Sequence, residues 1–231
     1  MRLDEPPPLS RLFGESLAFP KIVFAPFRQP VQLPQIDIDR PVLVIPGMLS
    51  GDRSTAFLRH SLSASGYSVQ PAGLGMNSVI SQEKFEALED LLALMARTQR
   101  RKIVVIGWSL GGFYARVLAQ RHFEKVELIA TLGTPFSGDR HANNAWQFYE
   151  WLAGHSVDTP PLPDDPSIKP NCHTIAFWSA IDGIVAPESS KGTACERDEA
   201  VELRCRHFEM ATSRPAVRKI VETINAYFVD K

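Results

Sequence analysis

The sequence predicts an α/β fold with a mostly parallel central sheet of about six strands, flanked by helices. Three observations carry that reading. From residue 41 onward, short β-branched apolar runs alternate with segments of helical period. The strongest apolar run, residues 102–107 (KIVVIG), leads into a glycine-serine-glycine turn and then a helix-forming stretch. A chain of 231 residues, 44% hydrophobic and 22% charged, can bury a sizeable core as one domain with extensions.

Each element follows from a local signal. Residues 42–45 (VLVI) read as a buried strand stopped by Pro46-Gly47. Residues 54–64 read as a helix, with Gly66 just beyond as its stop, and residues 67–70 as a second strand. Phe85, Leu88, Leu91, Leu92 and Met95 fall at helical spacing after Ser81, a suitable N-cap. After the 102–107 strand come a helix over 111–122 and a strand over 126–132, broken by Gly133-Thr134-Pro135. Residues 173–178 and 201–205 read as further strands, and residues 215–228 as the closing helix. Proline marks the irregular parts: nine of the eighteen lie in residues 1–46 and five in 160–170. Residues 1–40 therefore read as an extended arm packed on the 41–231 domain. A membrane-surface or partner contact is the alternative cover for its apolar side chains.

Composition excludes several function classes. Lys+Arg is 25 and Asp+Glu 26, so no basic excess exists for a nucleic-acid backbone. No apolar run reaches the roughly 18–20 residues of a transmembrane helix. The first residues are acidic and proline-interrupted, unlike a signal peptide, which predicts a cytoplasmic protein. The three cysteines, Cys172, Cys195 and Cys205, form no CxxC pair and read as reduced thiols, with a Cys195–Cys205 bridge as the alternative. No histidine or carboxylate spacing suits a metal, and no cofactor is implied.

The chemistry points to Gly107-Trp108-Ser109-Leu110-Gly111-Gly112. A serine on a sharp strand-to-helix turn needs glycine on both sides, because a side chain there would crowd the neighbouring elements. The turn lifts the Ser109 hydroxyl from the carboxyl edge of the sheet, over the N-terminus of the next helix. Serine needs a base, and the base an orienting carboxylate. His207 follows the last strand at its carboxyl end and is the expected base; His122, His141, His155 and His173 stand on the wrong element or the wrong end. Asp182, just past the 173–178 strand, is the expected acid, with Glu188 as the alternative. The oxyanion donors expected are the amides of Leu110 and of Met48, or of Leu49, in the loop after the first core strand.

These residues resemble the α/β-hydrolase superfamily, and within it the lipase and esterase branch. The resemblance runs through VLVIPGM, GWSLGG, TLGTPFSG, SAIDGIVAP and the late His207, spanning residues 42–207. It implies a triad of Ser109, Asp182 and His207, an oxyanion hole at Met48 and Leu110, and a cap insertion over about 139–170. Pro46-Gly47 stands where many lipases have His-Gly. In the insertion, Trp146, Phe148 and Trp151, with Trp108 beside the serine, either line an acyl pocket or cover the core. The expected activity is hydrolysis of a small, hydrophobic acyl ester through an acyl-enzyme. A thioesterase, amidase or acyltransferase would use the same residues, and a non-catalytic binding protein would use the fold alone.

Overall fold

The computed structural model describes residues 5–34 and 39–229. Helices α1 (Leu9–Ser16) and α2 (Phe19–Phe24) and a 3-10 turn (Ala25–Phe27) come first. They are followed by β1 (Pro41–Ile45), a 3-10 turn (Asp52–Thr55), α3 (Ala56–Ala64), β2 (Ser68–Pro71), α4 (Gln82–Gln99), β3 (Ile103–Trp108) and α5 (Leu110–Arg121). The second half holds β4 (Val126–Leu132), α6 (Trp146–Ala153), β5 (His173–Trp178), α7 (Pro187–Lys191), β6 (Glu199–Glu202), a 3-10 turn (His207–Glu209) and α8 (Arg214–Val229).

The six strands form one sheet, ordered β2-β1-β3-β4-β5-β6, and every neighbouring pair is parallel. The side-chain period of two divides each central strand between two cores. Val42, Val44, Val104 and Ile106 pack with Phe57 and Leu62 of α3 and with Val217 and Ile220 of α8. Leu43, Ile45, Val105 and Ile129 pack with Phe85 and Leu88 of α4 and with Tyr114 and Leu118 of α5. Burial on both faces explains why these strands read as unbroken apolar runs. Parallel pairing also places every strand's carboxyl end on one edge, where the loops 46–51, 109–110, 133–138, 179–186 and 203–209 converge.

Several elements differ from the sequence expectation. The last strand is Glu199–Glu202 rather than 201–205; Leu203 and Cys205 lie beyond it and fill the core. The insertion holds a helix, α6, and the segment after β5 holds another, α7. The arm, expected to be extended, winds into α1 and α2 instead. Pro20 sits in the first turn of α2, where its missing N–H breaks no intrahelical bond. Ile22 packs against the core, while Phe13, Leu17, Phe24 and Phe27 are exposed. Residues 1–4 and 35–38 of the arm lie outside the described residues, as does the side chain of Phe19. Among the described residues, no helix is long and apolar enough to cross a membrane.

Candidate active site

Ser109 joins β3 to α5 with φ 51° and ψ −117°, a conformation costing about 1–3 kcal/mol for a residue with a side chain. Its amide donates to the Leu132 carbonyl at 2.8 Å, and its carbonyl accepts from Thr134 Oγ1 at 2.9 Å. The flanking glycines are sterically required. A Cβ on Gly107 would strike the backbone of Gly111 and Gly112, and one on Gly111 would strike the Ile45 carbonyl. The missing Cβ at both positions lets β3, α5 and the loop after β1 approach one another closely around the serine.

Asp182 and His207 come from the carboxyl ends of β5 and β6 and are both buried. His207 Nδ1 lies 2.7 Å from Asp182 Oδ2. The other carboxylate oxygen, Oδ1, accepts the amides of Ile184 at 2.8 Å and Val185 at 2.9 Å, which fixes the Asp182 rotamer. Burial alone would lower the His207 pKa. The Asp182 charge, its hydrogen bond and the Glu15 charge outweigh burial and hold the imidazole above its ordinary value. Glu188, the alternative acid, lies on α7 and pairs with Lys191 at 3.9 Å. His122 pairs with Glu89, His141 with Asp139 and His173 with Glu199.

The loop after β1 approaches the serine closely. A Cβ on Gly47 would lie 3.3 Å from both Ser109 Cβ and the Trp108 carbonyl oxygen. Leu49 takes a left-handed φ of 54° and donates its amide to the Asn77 carbonyl at 2.8 Å. Of the two expected donors, Leu49 is therefore already engaged. No bond from the Met48 amide is present among the described residues. The Leu110 amide opens α5, in the first turn, where no intrahelical acceptor exists. Asn77, fully buried, completes the support: its Nδ2 donates to the Pro46 carbonyl at 2.8 Å and its amide to Ser50 at 2.9 Å.

Two cavities meet at Ser109 and Met48. One, of about 110 Å³, runs beneath the insertion among Phe113, Val117, Trp146, Tyr149 and Leu162. The other, of about 740 Å³, opens between the arm and the insertion and is walled by Ile22, Phe27, Trp108, Phe148, His207 and Phe208. Trp146 thus faces the narrow cavity, and Trp108 and Phe148 the wide one. Trp151 lines neither: it is 77% exposed and stacks on Phe148 with ring centres 5.7 Å apart. Its register puts it on the outer face of α6, three residues from Phe148 and off the Trp146–Tyr149 face. The sequence reading did not single out Asn77, Tyr149 or Glu15.

A family model described as alpha/beta hydrolase fold matches residues 56–159, a stretch that includes Ser109. Over 104 residues, 44% of this chain, the sequence is 30% identical to a GPI inositol-deacylase of Candida albicans, and the match spans 22% of that protein's length. Among solved structures, a lipase-esterase related protein from Clostridium acetobutylicum superposes with a TM-score of 0.61 at 12% identity, over 85% of this chain and 97% of the other. Metagenome-derived lipolytic enzymes superpose with a TM-score of 0.64 at 14% identity, over 86% and 97%. A soluble variant of monoglyceride lipase from Saccharomyces cerevisiae gives 0.61 at 14% identity, over 86% and 88%. The chain therefore has the α/β-hydrolase fold, and the solved structures it is similar to include lipases and esterases.

Proposed function

We propose that the protein hydrolyses carboxylic esters of hydrophobic acyl groups through an acyl-enzyme on Ser109. The observation that carries this reading is the buried 2.7 Å contact between His207 Nδ1 and Asp182 Oδ2, with His207 and the strained Ser109 walling the same cavity. Asp182 at Nδ1 selects the tautomer with its proton on that nitrogen, which leaves Nε2 free as the base. His207 takes the Ser109 proton as Oγ bonds to the acyl carbon. It then gives that proton to the leaving alcohol as the ester C–O bond breaks. Water adds to the acyl-enzyme by the same route in reverse. The Met48 and Leu110 amides hold the oxyanion, each such donor contributing about 3–4 kcal/mol to the transition state.

The narrow apolar cavity suits the acyl chain, and the wide one the alcohol. The likeness to an inositol-deacylase and to lipolytic enzymes supports an acylated alcohol as substrate. A panel of p-nitrophenyl esters from acetate to palmitate tests the reading. Turnover that peaks within the series and disappears in Ser109→Ala supports it. Turnover that persists in Ser109→Ala contradicts it.

A further inference from the structure

Among the described residues, one buried carboxylate outside the Asp182–His207 pair touches both of their turns. Glu15, on α1, is 1% exposed. Its Oε1 accepts the amide of Gly183 at 2.9 Å and the amide of His207 at 2.9 Å. Its Oε2 accepts the amide of Phe208 at 3.1 Å. Gly183 is the residue after Asp182, so a single side chain from the arm joins the backbone of the acid's turn to the backbone of the base.

We propose that Glu15 is a positioning residue that sets the mutual geometry of Asp182 and His207, making α1 a working part of the active site. The proposal rests on the catalytic reading given above. Asp182 and His207 meet side chain to side chain, and Glu15 fixes the same two turns main chain to main chain. An ionised carboxylate only accepts hydrogen bonds, and three N–H groups converge on this one. The fit is tight: a Cβ on Gly183 would lie 2.5 Å from the Arg11 carbonyl oxygen and 2.9 Å from Glu15 Cγ. Further bonds seat the arm on these turns and on the segment just after the second. Arg11 donates to the Ala180 carbonyl at 2.7 Å, Arg28 to the Thr212 carbonyl at 2.7 Å, and Lys21 pairs with Glu209.

The Glu15 charge also acts on the imidazole. The charged groups that raise the His207 pKa are Asp182, on the turn after β5, and Glu15, on α1. Glu209, on the imidazole's own turn, is held by Lys21 and by the Arg206 amide. Burial raises the Cys205 thiol well above its ordinary value and keeps it neutral. Trp108 and Phe208 contribute only rings. Removing the Glu15 charge should therefore let the His207 pKa fall.

The test compares wild type with Glu15→Gln and Glu15→Asp in the full chain. The readouts are the pH profile of kcat/KM on a p-nitrophenyl ester, fluorophosphonate labelling at Ser109, and the His207 pKa from imidazole NMR. The amide of Glu15→Gln keeps one acceptor oxygen and points a donor at a third N–H. We expect full labelling, a roughly ten- to hundredfold lower kcat/KM, an acidic limb moved to lower pH, and partial rescue in Glu15→Asp. An unchanged rate and limb in Glu15→Gln overturns the proposal while the triad stands. A lower rate with an unmoved limb and an unmoved His207 pKa also overturns it, because that is the pattern of a merely structural contact. If Glu15→Gln does not fold, Glu15→Asp carries the rate comparison: with the charge kept and the carboxylate withdrawn by one methylene, a lower kcat/KM with the limb in place supports the proposal and an unchanged rate overturns it. Failure of wild type to label at Ser109 would sink the catalytic reading instead, and the NMR titration would then decide Glu15 alone.

Discussion

Ser109 stores strain that its surroundings enforce, since Gly107 and Gly111, two residues to either side, pack so close to backbone that no Cβ fits. Replacing Gly111 with alanine should therefore cost folded protein rather than rate, because the Cβ would strike the backbone carbonyls of Ile45 and Pro46, which cannot yield as a flexible side chain would; yield and thermal unfolding will read this. Asp182→Asn keeps the shape of the acid but stabilises the wrong imidazole tautomer. It should lower kcat by about 10⁴-fold with little change in unfolding temperature, measured by ester hydrolysis and calorimetry. The loop that carries Met48 is held by the Asn77 side chain at 2.8 Å from the Pro46 carbonyl. Asn77→Ala should lower kcat roughly tenfold to hundredfold while KM moves little, because a displaced oxyanion donor matters most in the transition state. A rise in KM at constant kcat would contradict that role.

Among the elements, β3 and α5 were legible because every local signal agreed: an apolar run, glycines at the turn, then helical period. α6 was not legible as a helix, because its aromatic residues stand just before a proline-rich stretch and lack a cap signal; no side chain caps it. The insertion is tied to α5 by Arg116, which is fully buried and donates to the carbonyls of Pro166, Ser167, Ile168 and Glu196. Burial draws its pKa down to about 10, and the ring of Phe136 lies 4.0 Å from the guanidinium carbon. Arg116→Ala removes the donor shared by these four carbonyls and should cost about 1–3 kcal/mol, measured by urea unfolding. Leu162 and Tyr149 close the narrow cavity from the insertion side. Leu162→Trp should shift ester preference toward shorter chains. An unchanged chain-length profile would remove the narrow cavity from the account.

At the scale of the whole molecule, six parallel strands deliver Ser109, Asp182 and His207 to one sheet edge from three different strand ends. That convergence was legible, since chain order and strand ends named the same three residues. The contacts of Glu15 and Asn77 were not, because they join positions 168, 192 and 31 residues apart with no local pattern to mark them. The raised His207 pKa has opposite consequences for stability and for rate. The protonated ring is stabilised in the folded state, so that contribution is present below the ordinary imidazole value near 6.5 and is lost as pH rises through the raised value. As the proposed base, His207 would have to be neutral, so kcat/KM should fall on the acid side with an apparent pKa above about 6.5. The most direct test of the central claim is peptide mass spectrometry after fluorophosphonate treatment of wild type, Ser109→Ala and His207→Asn. The expected result is one adduct on Ser109 in wild type, none in Ser109→Ala, and greatly slowed labelling in His207→Asn. An adduct on another residue, or labelling of Ser109 at the same rate without His207, would contradict it.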